Sequence, residues 1–259
     1  MYDKRIQNFV LPAGAGIVLI LLLQSQVIHR IFGISLLQLP LPSSVIAAFL
    51  DSFGKILQNG WATLLPALAG MIAGAAAGYL VAAFATVFRT GGYGALFIMT
   101  LVNSVPIVAL APLMNRWFEI PFTAKFAVIA VASSGAMAVN AFHGMNDIED
   151  NALQMMKMTA ATGRQILFKL RMPASLPNVF TGFKVIVPVG MLAAIISEYF
   201  SGKTEGLGYM IKYCLKVGNM KQTGWAYILA AAVLSLIIYA AVCALETRFT
   251  GWHVSQRTK

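Results

Sequence analysis

Residues able to do chemistry are few in this chain, and their spacing argues against a reaction centre. His29, His143 and His253 are too scattered to hold a metal ion. Cys214 and Cys243 form no Cys-x-x-Cys pair and lie in apolar or weakly polar surroundings, so they point neither to a metal nor to a redox compartment. Gly91-Gly92-Tyr93-Gly94 lacks the lysine and the preceding strand that a phosphate-binding loop requires. Asp147, Glu149 and Asp150 gather in one segment without a histidine beside them, and Glu198 borders an apolar run. A membrane enzyme would need convergent His, Asp or Glu, so the pattern predicts no catalytic residue, no metal and no cofactor held by this chain.

The polar groups that remain suggest passage rather than reaction. Asn103, Ser104 and Pro106 interrupt an apolar run, where they can line a wet path or serve as interhelical hydrogen-bond groups. Glu198 invites the same question, because carboxylates at the edge of a span are functional or paired, and a structural role with the Gly206–Tyr209 segment is its other reading. These four residues are the candidate translocation path.

The elements that would position them are set by composition. Of 259 residues, 59% are hydrophobic and 11% charged, against about 45–50% and about 25% in soluble domains. The formal charge of +10 does not imply nucleic acid here, since the basic residues stand between apolar stretches and anionic lipid is the natural counter-charge. Crossing about 30 Å of hydrocarbon takes about 20 helical residues. By that measure the sequence predicts an all-α membrane protein, one transmembrane unit over 1–259, with six spans near 6–28, 63–88, 93–113, 123–143, 179–200 and 223–247. The first run continues through Leu19-Ile20-Leu21-Leu22-Leu23, beyond the length of a signal h-region, and is taken as a retained span. The turn Gln58-Asn59-Gly60 is expected to precede the second. Lys184 is expected to snorkel to the headgroups. Trp61, Trp117, Trp225 and Trp252 fall near span ends, as interfacial indoles do. Gly70, Gly74 and Gly78 give a small-xxx-small stripe for close helix approach.

With the amino terminus inside, eleven basic residues fall on the cytoplasmic side and eight, Lys125 among them, on the other. That is a slight bias in the direction the positive-inside rule requires, and the Lys-rich 203–221 segment opposes it.

Segment 144–177 is amphipathic rather than continuously apolar. Its acids stand where a helix start favours carboxylates, Leu153-Gln154-Met155-Met156-Lys157-Met158 follows, and a break falls around Thr159-Ala160-Ala161-Thr162-Gly163. A second run, Arg164 to Arg171, is stopped at Met172-Pro173, and Pro177 completes the turn back. Such a helix-turn-helix can lie on lipid, be a solvated loop, or dock a soluble partner. The methionines suit docking, because their side chains adapt to a groove.

Gln154 to Gly182, with Leu170-Arg171-Met172-Pro173-Ala174-Ser175-Leu176-Pro177 and Thr181-Gly182, resembles the EAA loop of ATP-binding-cassette importer permeases. Leu39-Pro40-Leu41-Pro42-Ser43, Ser104-Val105-Pro106 with Leu110-Ala111-Pro112-Leu113, and Glu198 with Gly206-Leu207-Gly208-Tyr209 resemble further family segments in the right order. The resemblance implies a type I permease fold with a cytoplasmic coupling helix, in the subgroup for nitrate, sulfonates, taurine, pyrimidine precursors and riboflavin. It leans towards pyrimidine-precursor or flavin-like solutes. It implies a multi-pass protein of the plasma or inner membrane that is not itself an enzyme. Its partners would be a second permease copy, an extracytoplasmic solute-binding protein, and a cytoplasmic ATPase that binds the ATP and Mg. The residues implied to couple to that ATPase are Leu153, Gln154, Met155, Met156, Lys157, Met158, Thr159, Ala160, Ala161 and Gly163, with all three methionines entering a cleft. Departures from the family pattern are Gln154 for Glu, Ala160 for Gly and Glu119 for Gly. Ala160 implies a tighter helical link or a turn moved onto Gly163. A secondary transporter would show internal duplication and midspan charges, which are not found; a channel would need no ATPase.

Overall fold

The structure, a computed structural model, describes residues 4–202, 204–218 and 220–250; the readings that fall on Lys203, Trp252, His253, Arg257 and Lys259 lie outside them. Every regular element among the described residues is a helix, and none is a strand. The chain runs through α1 (Lys4–Gln24), α2 (Val27–Phe32), α3 (Pro42–Asp51), α4 (Phe53–Val87), α5 (Arg89–Asn103), α6 (Ile107–Trp117) and α7 (Pro121–Asn146). It continues through α8 (Asp150–Met158), α9 (Gly163–Ile166), a π-helical turn Leu167–Arg171, α10 (Met172–Ala174), α11 (Leu176–Phe200), α12 (Leu207–Lys216) and α13 (Lys221–Phe249).

The centre of the fold is the crossing of α4 and α7, and the small-residue stripe explains it. An added Cβ at Gly70 would fall 2.8 Å from Ile129 Cβ, at Gly74 2.8 Å from Ser133 Cβ, and at Gly78 2.8 Å from the Ala138 nitrogen. The two backbones meet where any side chain would hold them apart. Helix α11 closes this core through Ile186, Val187, Met191, Ala193 and Ala194. A second cluster joins the start of α4 to α12 and α13 through Ile56, Leu207, Ile211, Cys214 and Tyr227.

Four helices, α4, α7, α11 and α13, are long and apolar enough to cross a membrane, and five spans result if α5 and α6 count as one. Three sequence expectations change. The run expected at 93–113 is not one helix: it breaks at Ser104–Pro106, and its halves diverge by 91°. Pro106 is the cause, since it has no N–H to continue the ladder and disfavours helix at Val105. The second helix starts at Phe53 rather than near Thr63 and passes through Gln58-Asn59-Gly60. There the Asn59 amide donates to the Lys55 carbonyl at 2.8 Å and its oxygen accepts from Gly206 N–H at 3.0 Å, so the polar turn residues are satisfied without leaving the helix. The first helix ends at Gln24, short of the expected 28, because Gln26 is left-handed at φ +60°. The Gln24 side chain then bonds Ser43 in both directions, holding α1 to α3.

Candidate functional site

A buried ionic node sits where α4, α7, α11 and α12 meet. Glu198, 1% exposed near the end of α11, accepts from Lys125 Nζ at 3.0 Å, from Thr63 Oγ1 at 2.8 Å and from Gly208 N–H at 2.8 Å. Thr63 Oγ1 in turn accepts from Leu207 N–H at 3.0 Å. The Lys125 ammonium also donates to the Ala62 carbonyl at 2.8 Å. That carbonyl is four residues before Pro66, which has no N–H to give it, so the lysine fills a vacancy the proline creates. Gly206 stands at φ +104°, where an added Cβ would strike the Glu198 carboxylate, and a Cβ at Gly208 would lie 2.9 Å from Glu198 Cβ. The Gly206-Leu207-Gly208 motif therefore brings two backbone N–H groups, of Leu207 and Gly208, onto the node.

Of the two readings of Glu198, a path residue or a structural partner of the Gly206–Tyr209 segment, its contacts fit the second: its oxygens accept from three donors, Gly208 N–H among them, and join helices. Lys125, counted as an outer loop charge, is likewise buried. Lys184 does not snorkel: it pairs with Glu246 of α13 at 2.5 Å. Two signals for the node are readable in the sequence, a carboxylate in apolar surroundings, which requires a partner, and the Gly206–Tyr209 segment after it. Nothing in the spacing singled out Lys125 or Thr63, because their proximity arises from the α4–α7 crossing.

The other three path residues stay together at the α5–α6 elbow. Asn103, Ser104 and Pro106 are exposed within the single chain, and Ser104 Oγ donates to the Thr100 carbonyl at 2.9 Å. Asn103 lies over Gly135 of α7; with its amide assigned so that nitrogen meets an acceptor and oxygen a donor, it donates to the Ala132 carbonyl at 3.2 Å and accepts from Ala136 N–H at 3.1 Å. A cavity of about 240 Å³ opens beside it, lined by Asn103, Val105, Ile107, Leu110, Val131 and Val189 among others. The end of α6 is tied to α11 one residue before Glu198, through Asn115 Nδ2 donating to the Ser197 carbonyl at 2.9 Å.

The amphipathic segment leaves the opposite ends of α7 and α11. Arg171 Nη1 donates to the Met145 carbonyl at 2.9 Å and to Asn146 Oδ1 at 2.6 Å, a cation on the carbonyl end of α7. Gly144 keeps Asn178 close: an added Cβ would lie 2.7 Å from Asn178 Cβ. From this anchored base α8 projects, with none of its residues buried. Met155 is 69% and Met158 83% exposed, on the same side as Asn151 and Gln154, whereas Ala152, Leu153 and Met156 are half-buried on the other. Met156 thus leaves the set of three methionines expected on one face, because i and i+1 do not share one.

The end of α8 departs from both alternatives read at Ala160. The turn is neither helical nor moved to Gly163: Ala160 itself is left-handed at φ +54°. Its N–H bonds the Lys157 carbonyl at 3.0 Å and the Ala161 N–H bonds the Met156 carbonyl at 3.0 Å, a complete Schellman cap built on alanine. Helix α9 then opens on a capping box, Thr162 with Gln165, which a Thr-x-x-Gln spacing announces and which was missed.

Comparison with known proteins agrees with this arrangement. Residues 70–251, well over half of the chain, match the model of the family described as binding-protein-dependent transport system inner membrane component. The formylaminopyrimidine transport permease protein ThiX of Halalkalibacterium halodurans is 27% identical over 60% of this chain and 61% of its own. The taurine transport system permease protein TauC of Escherichia coli is 28% identical over 60% of this chain and 56% of its own. Both matches thus span less than two thirds of those relatives' lengths. The riboflavin transport system permease protein RibX of Chloroflexus aurantiacus is 25% identical over 97% of this chain and 95% of its own. With its apolar helices, α4–α7 core and loop between α7 and α11, this multi-pass membrane chain belongs to the family of binding-protein-dependent transport system inner membrane components.

Proposed function

We propose that this chain is the permease subunit of an ATP-driven importer, forming half of a path for a small solute that an extracytoplasmic binding protein delivers. The observation that carries the reading is α8: an amphipathic helix with no buried residue and two exposed methionines, held on a base anchored by Arg171. Exposed apolar area of this kind on a rigid mount suits a groove in a soluble partner. The partner is a cytoplasmic ATPase, which carries the ATP and Mg; Met155 and Met158 enter its cleft, Asn151 and Gln154 flank them, and Leu153, Met156, Lys157, Thr159, Ala160, Ala161 and Gly163 shape the mount.

A second copy faces the elbow. Irregular backbone at membrane depth is tolerated where protein or a water-filled cavity covers it, never against lipid tails. Residues 104–106 are such backbone and are exposed in the single chain, which supports a two-fold pair with Asn103, Ser104 and Pro106 lining the path between copies. The proposed topology has six spans, both termini and α8 in the cytoplasm, and α12 outside. The solute reading is an aromatic heterocycle of the pyrimidine-precursor or flavin kind, supported by the near full-length match to a relative named for riboflavin. Taurine or a sulfonate is the second reading, favoured by the TauC match.

Pull-down of the full chain from its native membrane tests the proposal. An ATP-binding-cassette ATPase should co-purify, and Met155→Ala with Met158→Ala should weaken that association about 10-fold or more while Met156→Ala changes it less. A chain that inserts normally and never brings down an ATPase would point to a channel.

A further inference from the structure

Asn103 meets α7 in a way that its place on the proposed path does not by itself require. Gly135 makes the approach possible, since an added Cβ there would lie 2.6 Å from Asn103 Cγ. The amide reaches the α7 backbone, donating to the Ala132 carbonyl at 3.2 Å and accepting from the Ala136 N–H at 3.1 Å. Those two groups stand four residues apart in one helix, so they are already each other's partners in the α7 ladder. The Asn103 contacts are additions to a satisfied rung, and neither backbone group is left unpaired when the amide turns away. What the rung engages is one edge of the side chain, a carbonyl oxygen beside an N–H. That edge is self-complementary: it pairs with any group that offers an N–H beside a carbonyl.

The cavity of about 240 Å³ begins at the same place. Ala132 and Ala136 line it together with Asn103, and the rest of the wall is aliphatic: Val102, Val105, Ile107, Leu110, Val131 and Val189. Asn103 is thus the one polar side chain among the described lining residues, and it is exposed. In apolar surroundings a hydrogen bond is stronger than in water and an unmet one costs more, so a single amide can decide what enters. Helix α6 opens on the same wall at Ile107, and the first N–H groups of a helix draw acceptors or an anion. An anion drawn there would have no cation of α5 or α6 beside it, since residues 91–115 carry no charge. Lys125 and Lys184, on other helices, are paired with Glu198 and Glu246.

We propose that Asn103 selects the solute: its amide turns from the α7 rung and pairs edge to edge with a neutral ring that carries an N–H beside a carbonyl, while the aliphatic wall receives the ring. On the reading that the path runs through the elbow, this makes the solute an uncharged, lactam-like heterocycle. A sulfonate offers acceptors alone, so it takes an N–H of the amide and leaves the carbonyl oxygen unmet. Sites that hydrogen-bond a substrate N–H reject an analogue lacking it more sharply than sites that read shape.

Cysteine protection tests the assignment. In the full chain with Cys214→Ala and Cys243→Ala, reconstituted in proteoliposomes with its co-purifying ATPase, Val105→Cys places a thiol on the cavity wall. Uracil and lumichrome, a one-ring and a three-ring lactam, should slow its reaction with methyl methanethiosulfonate. They should do so at concentrations about 10-fold or more below those their N-methylated counterparts need. Ethanesulfonate should not slow it. Asn103→Asp, which keeps the shape and offers no donor, should bring the lactams and the methylated rings within about twofold. Gly135→Ala, which pushes the amide off α7, should preserve the preference because the pairing edge remains. Equal protection by lactams and methylated rings, protection by neither, or protection by ethanesulfonate overturns the proposal and leaves the path standing. So does a preference lost in Gly135→Ala, which would make Asn103 a clasp on α7 alone. A thiol at position 105 that never reacts while the ATPase co-purifies removes the elbow path itself, and selection by Asn103 with it.

Discussion

Lys125 occupies the position that Pro66 leaves vacant: its ammonium donates to the Ala62 carbonyl, the acceptor that a residue with an N–H at position 66 would have used. A proline that would elsewhere weaken a helix is thereby converted into the third corner of an ion-pair site, and α7 is fixed against α4 at that level. Glu198 then extends the same site to α11 and α12.

Charge removal at this node should be severe and strongly non-additive. Lys125→Met leaves Glu198 buried without its cation and should cost about 3–5 kcal/mol. The double variant Lys125→Met with Glu198→Met should lose less than the sum of the singles, by about 1–3 kcal/mol. Thermal unfolding of the detergent-solubilised chain, followed by intrinsic fluorescence, gives both quantities. Additive losses would mean that the two residues do not act as a pair.

Two glycines four residues apart should respond differently to alanine. Gly206 combines a φ of +104° with the Glu198 carboxylate where its Cβ would go, whereas a Cβ at Gly202 meets nothing within 4 Å. Gly206→Ala should lower the unfolding temperature and the yield of monodisperse protein; Gly202→Ala should leave both near the parent values. Size-exclusion profiles of the two variants side by side decide the matter.

The alanine cap of α8 should be improvable. A left-handed Ala costs about 1–2 kcal/mol, part of which Gly returns as unfolded-state entropy. Ala160→Gly should therefore stabilise the end of α8 by about 0.5–1 kcal/mol, slowing amide exchange at Ala160 and Ala161 about two- to fivefold. Exchange that is unchanged or faster would show that the cap is not the conformation in solution.

At the elbow, Asn103→Leu and Ser104→Val should reduce solute uptake while insertion and ATPase association remain intact. Uptake into proteoliposomes containing the complete assembly provides the readout. Undiminished uptake would leave these side chains with a packing role alone.

Much of the architecture is visible in the amino-acid pattern because membrane helices are specified by long local runs. The Gly70–Gly74–Gly78 stripe, the apolar α13 and the amphipathic α8 are each written in consecutive residues. What escapes such reading is pairing between distant segments. Lys125 is a lone cation at the edge of an apolar run, indistinguishable from a headgroup anchor until α7 is laid across α4. Lys184 has the same ambiguity, resolved by Glu246 at the far end of the chain. Asn103, Ser104 and Pro106 mark an interruption, but the run over 93–113 reads as one span, and neither its break into two helices nor the 91° between them is written in the local pattern. Ala160 shows the converse: a residue that disfavours a left-handed turn still adopts one when the flanking helix needs its last carbonyls capped.

Two lysines of the long helices are each paired with a carboxylate on another long helix: Lys125 with Glu198 and Lys184 with Glu246. A unit charge moved through the full membrane field exchanges about 2.3 kcal/mol per 100 mV. A pair that stays together carries zero net charge through that field, so neither Lys125–Glu198 nor Lys184–Glu246 couples its helices to the membrane potential, whereas loss of one partner would leave a charge that feels it.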